Sequence, residues 1–209
     1  MGSRTGFERP HSVETGELSN IVGLAIAGKM ESRYNTVAIF CHMVIFDAST
    51  LILVTKIDLL DPFLGSLSMR TAIPAAVHRE CCQSKKTLDA LVIQKVVDES
   101  RIGVAAVKDR AGVKKVRDDF SLGAGEAEVI VLARQCDARL VAIDDKNGIN
   151  ACKLLRLPFT TAPGILLVCR ERNLIGKGEA EERLELLAKW GRYKSSIIDD
   201  VRTRLEDYA

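Results

Sequence analysis

No C-x-x-C pair occurs in this 209-residue chain, no apolar run is long enough to cross a bilayer, and neither sign of charge predominates. Each absence removes a class of function. The six cysteines are scattered. Cys81 and Cys82 adjoin, and Cys136, Cys152 and Cys169 fall inside apolar patterns that a small hydrophobe fits. His78 and Cys82 stand four apart on an expected helix, which is one isolated pair and not a zinc-ligand set. Free thiols in a reducing cytoplasm are the simplest account. Thirty basic against 28 acidic residues leave a net charge of +2, so partners must be argued from local sites. Ile21 to Ala27 is apolar but far too short to span a membrane, and Glu8, Glu14 and Glu17 spoil the basic leader of a signal peptide.

Familiar nucleotide and nucleophile motifs are missing too. There is no G-x-S-x-G elbow and no G-x-x-x-x-G-K-[ST] loop. The dinucleotide pattern begins at Gly123-x-Gly125 but meets Glu128 where the third glycine belongs, which would put a carboxylate against a pyrophosphate. A phosphatase with an aspartate nucleophile would want a second acid two residues after Asp47, where Ser49 stands.

What remains is ordinary for a globular protein: 47% hydrophobic and 28% charged residues, with no internal repeat. Val44 to Asp47 is a short buried-strand pattern, and the folded domain is expected to begin at Met43 and run to residue 209. Residues 1–42 then form an N-terminal extension, an expression remnant or a mis-set start. The hydroxyls of Ser49 and Thr50 suit a helix start, and helical spacing runs from Leu51 to Leu60. Ala72 to Pro74 is extended, with a helix from Ala75. Lys85 to Ser100 reads as an amphipathic helix with Leu88, Leu91, Val92, Lys95 and Val96 stepping around it. Ile102 to Val107 and Leu140 to Ile143 are apolar strand patterns, and a helix runs on from Glu126. Lys146 to Leu155 (helix), Phe159 to Thr161 (strand) and a helix opened by Pro163 follow, then two amphipathic helices over 178–190 and 195–208. Strands alternating with helices mean an α/β fold with a mostly parallel sheet.

Carboxylates recur at the ends of these elements. Asp47 closes one strand, and Asp144 and Asp145 close another. Glu80 lies early in one helix, and Glu126 lies in the first turn of a later one. In an open α/β sheet, ligands bind where strands exit. Acids converging without lysines repel one another unless a cation sits among them, and oxygen donors without His or Cys suit Mg²⁺ or Mn²⁺. Such ions activate water and stabilise phosphoryl charge, so phosphodiester hydrolysis is the natural chemistry. The charged segment Lys108 to Asp119 is either a solvated helix face or a basic rim for a phosphate backbone.

The blocks Phe46-Asp-Ala-Ser-Thr50, Ile73 to Glu80, Leu122-Gly-Ala-Gly-Glu-Ala-Glu128 and Ile143-Asp-Asp145 resemble the successive blocks of PIN domains. They are most similar to the prokaryotic branch related to VapC toxins that carries a Gly-x-Gly-Glu block. The resemblance implies a three-layer α/β/α sandwich and a ribonuclease site. In it Asp47, Glu80, Glu126, Asp144 and Asp145 would hold Mg²⁺ or Mn²⁺, and Ser49 would hydrogen-bond within the cluster. Cleavage would leave a 5′-phosphate and a 3′-hydroxyl. Expected partners are an RNA substrate, a cognate antitoxin protein and a second copy of the chain in a homodimer, with no membrane. Where that branch tends to carry an arginine, this chain has Gly148-Ile-Asn150, and it has Thr161 near a favoured glycine. These departures motivate a second expectation, a PIN-like binding module that has lost turnover. A metal-dependent DNA nuclease or phosphatase using the same acids is the third.

Overall fold

Short apolar runs with no polar alternation build the centre of the molecule, because a parallel sheet is covered on both faces. The computed structural model describes residues 43–83 and 87–208; the expected N-terminal extension, 1–42, lies outside them. Strands β1 (Met43–Phe46), β2 (Arg70–Pro74), β3 (Gly103–Ala105), β4 (Leu140–Ala142) and β5 (Phe159–Thr160) form one sheet in the order β3-β2-β1-β4-β5. Every pairing is parallel, with Ile45 opposite Ala72 on one side and Val141 on the other. The chain moves outward from β1 through β2 to β3, then returns to the far side of β1 for β4. The exits of β1 and β4 therefore flank the point where the strand order reverses, the place at which such sheets bind ligands.

Helices cover both faces, as the three-layer α/β/α expectation requires. One layer holds α1 (Ala48–Lys56), α2 (Leu60–Gly65) and α4 (Leu88–Asp98). It continues through α8 (Ala162–Glu171), α9 (Lys177–Trp190) and α10 (Ser195–Asp207). The other holds α3 (Ala75–His78), α5 (Arg110–Phe120), α6 (Ala124–Gln135) and α7 (Lys146–Leu155), with α6 lying across β2, β1 and β4. Val44, Ile45, Phe46, Leu140, Val141 and Ala142 are fully buried between the layers, and the Phe63 ring meets Phe46 edge-on at 6.1 Å. Among the described residues no helix is long and apolar enough to cross a membrane.

Three local expectations are corrected. The helix expected over Leu51–Leu60 breaks after Lys56, because Asp58 takes a left-handed φ of 52° and Leu60 starts a new helix. The helix after Pro74 changes after one turn: Ala75–His78 is α-helical, and Arg79–Gln83 continues as a wider π turn. In α4 the inward residues are Ala90, Ile93 and Val96, whereas Leu88 and Leu91 stand in solvent at 78% and 65% exposure. Val96 of the expected stripe does face inward, but the fully buried Ile93 turns the helix so that Leu88 and Leu91 fall outside the core.

Candidate active site

Asp47 follows the last residue of β1 and caps α1. Its Oδ1 accepts from the Thr50 amide at 2.8 Å, and its Oδ2 accepts from the Ser49 hydroxyl at 2.6 Å. The side chain is buried, at 1% exposure, so its charged form loses most of its hydration. That burial, reinforced by the Asp144 carboxylate, pushes the Asp47 carboxyl up to about 7 despite its hydrogen bonds to Ser49 and Thr50.

Asp144 lies two residues beyond β4. Its Oδ2 accepts from the Ala162 amide at 3.0 Å, and its Oδ1 accepts from the Tyr193 hydroxyl at 2.5 Å. Burial raises its carboxyl above the usual range, and the Tyr193, Ala162 and Thr50 donors work against that shift. The buried hydroxyl of Thr50 thus lies near both aspartates, yet it has no well-formed hydrogen bond. Asp145, next in sequence, turns to α7 and accepts from the amides of Asn147 and Gly148, each at 2.8 Å. This divides the pair left open by sequence: Asp144 goes with Asp47, and Asp145 caps the neighbouring helix.

Glu126 caps the start of α6, its Oε2 reaching back to accept from the Gly123 amide at 2.7 Å. Burial raises its carboxyl, with Asp145 and Glu80 adding to the shift. Glu80 projects from the exposed π turn and approaches α6 at Gly125. A Cβ added to that glycine would stand in ordinary contact, 3.4 Å from the Glu80 Oε2, which places the glutamate against the first turn of α6. Glu128, the next acid in the block, faces elsewhere. It is buried, accepts from the Ala76 amide at 3.2 Å and pairs with Arg110 at 2.7 Å, tying α6 to the start of α3.

The expected acids thus reach one end of the sheet, in two groups: Asp47 with Asp144, and Glu126 with Glu80 and Asp145. Among the described residues no three His, Cys, Asp or Glu side chains by themselves close around an ion. No ion pair among those residues involves any of the five acids. A Mg²⁺ ion keeps several waters and uses one or two carboxylates, so either group is a sufficient protein share. The all-oxygen donor set and the Thr50 hydroxyl, buried beside Asp47 and Asp144 without a well-formed hydrogen bond, fit such an ion. His78 does not pair with Cys82; its Nε2 lies 3.1 Å from Gln94 Oε1. In the expected basic rim, Arg110 pairs with Glu128, Lys115 with Asp119 and Arg117 with Asp118, so these cations are engaged within or beside α5.

Sequence reasoning missed Tyr193 and Thr50. Nothing in spacing connects residue 193 to residue 144. Thr50 stood in the Phe46–Thr50 block, but only as a helix-starting hydroxyl.

An all-parallel sheet with a buried aspartate on one side of its switch point and a half-buried one on the other defines an α/β/α protein with an acidic site. A family model described as a PIN domain matches residues 43–206. The chain belongs to the PIN domain family, whose members are generally metal-dependent nucleases. No curated protein and no solved structure gave a match.

Proposed function

We propose that this protein is a Mg²⁺- or Mn²⁺-dependent endoribonuclease, acting in the cytoplasm as the toxin of a toxin–antitoxin pair. The observation that carries the reading is the pair of aspartates at adjacent strand exits, Asp47 buried and Asp144 partly so, whose protein partners are all neutral donors. The toxin assignment rests on the likeness of the four acidic blocks to the VapC-related branch. An antitoxin and a second copy of the chain are the partners that likeness brings with it.

A bound divalent ion supplies charge stabilisation at the phosphoryl oxygens and an acidified water. The protein supplies position. Ser49 and the Thr50 amide fix both oxygens of Asp47, while Ala162 and Tyr193 fix both of Asp144. Backbone amides set Asp145 and Glu126 at the mouths of their helices: Asp145 accepts from Asn147 and Gly148, and Glu126 from Gly123. Water adds to phosphorus, the bond to the 3′ oxygen breaks, and that oxygen takes the proton, leaving a 5′-phosphate and a 3′-hydroxyl.

Purified protein is expected to cleave RNA with added Mn²⁺, and not with chelator. The Asp47→Asn variant should lose that cleavage; equal cleavage by the variant would assign the activity to a contaminant. DNA and small phosphate esters serve as competing substrates, and preference for either overturns the ribonuclease assignment. The division of the acids into two groups favours a second reading, a PIN-like interaction module. Calorimetry separates them, since a module without turnover has no need of tight Mn²⁺ binding.

A further inference from the structure

The C-terminal helical pair α9–α10 is joined by a turn of unusual build. Arg192 adopts a left-handed φ of 52°. A Cβ on Gly191 would lie 2.0 Å from Cε2 and 2.5 Å from Cδ2 of the Tyr193 ring, and 2.8 Å from the backbone oxygen of Leu187. Only glycine lets the ring lie back over the end of α9. The ring packs against the core and carries its hydroxyl to Asp144, 49 residues away in sequence. Asp144 Oδ2 is held from the other side by the Ala162 amide at the start of α8.

We propose that Tyr193 is a positioning residue of the acidic site, fixing the Asp144 carboxylate toward Asp47. The proposal rests on the metal-dependent nuclease reading. Asp144 leaves β4 on a single connecting residue, Ile143, and its side chain would otherwise be anchored only through Oδ2 and the nearby Thr50 hydroxyl. The Tyr193 hydroxyl removes the remaining rotation and supplies a donor to a carboxylate that burial disfavours in its charged form. The turn at 191–193 thereby links the outermost helices to the chemistry. Partners of this kind, which hold a metal-binding carboxylate without touching the ion, are commonly worth about 10–100-fold in metal affinity or activity.

Two variants separate hydroxyl from ring. Tyr193→Phe keeps the ring and removes the donor; Gly191→Ala keeps the donor and displaces the ring. Calorimetric Mn²⁺ titration of the full chain should show each binding about 10–100-fold more weakly than wild type. In RNA cleavage kcat should fall with KM little changed, and Tyr193→Phe should lower the metal-free melt only modestly beside its loss of affinity. A purely structural tyrosine would shift the melt and leave affinity alone. Wild-type affinity and kcat in Tyr193→Phe overturn the inference while the nuclease reading stands. No Mn²⁺ binding and no RNA cleavage by the wild type itself would remove the nuclease reading. A metal-free double-mutant cycle of Tyr193→Phe with Asp144→Ala then tests the bond alone, and additive stability losses overturn it in either case.

Discussion

The main-chain amide of Asp47 donates to the carbonyl of Ala142 at 2.9 Å, so the ends of β1 and β4 are fastened together immediately before their acids emerge. The Ile143 amide in turn donates to Thr160 at 2.9 Å. With the backbone ladder continued to this point, the positions of Asp47 and Asp144 are set by the sheet rather than by loops. Side-chain orientation is then the remaining freedom, and the neighbouring hydroxyls take it up.

Ser49 is the most accessible of those hydroxyls. Its bond to Asp47 Oδ2 is short, at 2.6 Å, and comes from an exposed residue whose removal leaves no cavity. Ser49→Ala should therefore fold with near wild-type stability and bind Mn²⁺ about 10–100-fold more weakly by calorimetry. Unchanged affinity would detach Ser49 from the site.

Gly148 is fixed by contact rather than by conformation. A Cβ there would lie 2.3 Å from Cδ1 and 3.0 Å from Cγ1 of Ile143, and Ile143 is itself fully buried and cannot step aside. Gly148→Ala should cost about 1–3 kcal/mol in urea denaturation through overpacking. Since Gly148 also donates to Asp145, the start of α7 should move with it. Wild-type stability would mean that the helix slides freely over the strand end.

Glu128 and Arg110 form a pair with unequal stakes. Glu128 is buried, whereas the Arg110 side chain is 68% exposed. Removing Arg110 should cost at most about 1 kcal/mol, in keeping with a solvent-screened partner. Glu128→Ala leaves the Ala76 amide without its acceptor and should cost about 1–3 kcal/mol. It should also loosen the helix that carries Glu80. Equal losses from the two variants would contradict this asymmetry.

The parts legible in the sequence share a physical cause. Val44–Phe46 and Leu140–Ile143 announce themselves because a strand covered on both faces must be apolar throughout. The acids after them stand out because a charge at the end of such a run needs a reason. Ser49 came from the family resemblance and not from local chemistry, which marked it only as a helix-starting hydroxyl; its hydroxyl donates to Asp47. What escaped depends on contacts distant in the chain. Tyr193 reaches Asp144 through a turn whose geometry no spacing encodes, and Glu128 sits in the same block as Glu126 yet serves α3 instead. The rotation of α4 went astray because exposed Leu88 and Leu91 outweigh buried Ala90 in any count of apolar residues. The break at Asp58 needs a left-handed backbone that aspartate tolerates but does not advertise.

Stability should fall as pH rises in the absence of metal. Burial first, then the Asp144 charge, pushes Asp47 up to about 7, while the unfolded chain titrates near 4. A folded-state value above the unfolded one means that the native protein holds a proton the unfolded chain has already released. Asp47's contribution is therefore complete below about pH 4, is lost between about pH 4 and 7, and is flat beyond. Asp144 and Glu126 shift in the same direction and deepen the slope. The loss from Asp47 alone is on the order of a few kcal/mol. Thermal melts in chelator should show a transition temperature that declines from pH 5 to pH 8. Asp47→Asn carries no such charge, so its decline should be shallower and its transition higher than wild type at pH 8. Mn²⁺ should raise the wild-type transition at pH 8 and leave the variant nearly unmoved, because the ion offsets a repulsion that the variant lacks. Parallel slopes for the two proteins would mean that Asp47 is not held against its charge, and the pairing with Asp144 would then have no electrostatic consequence.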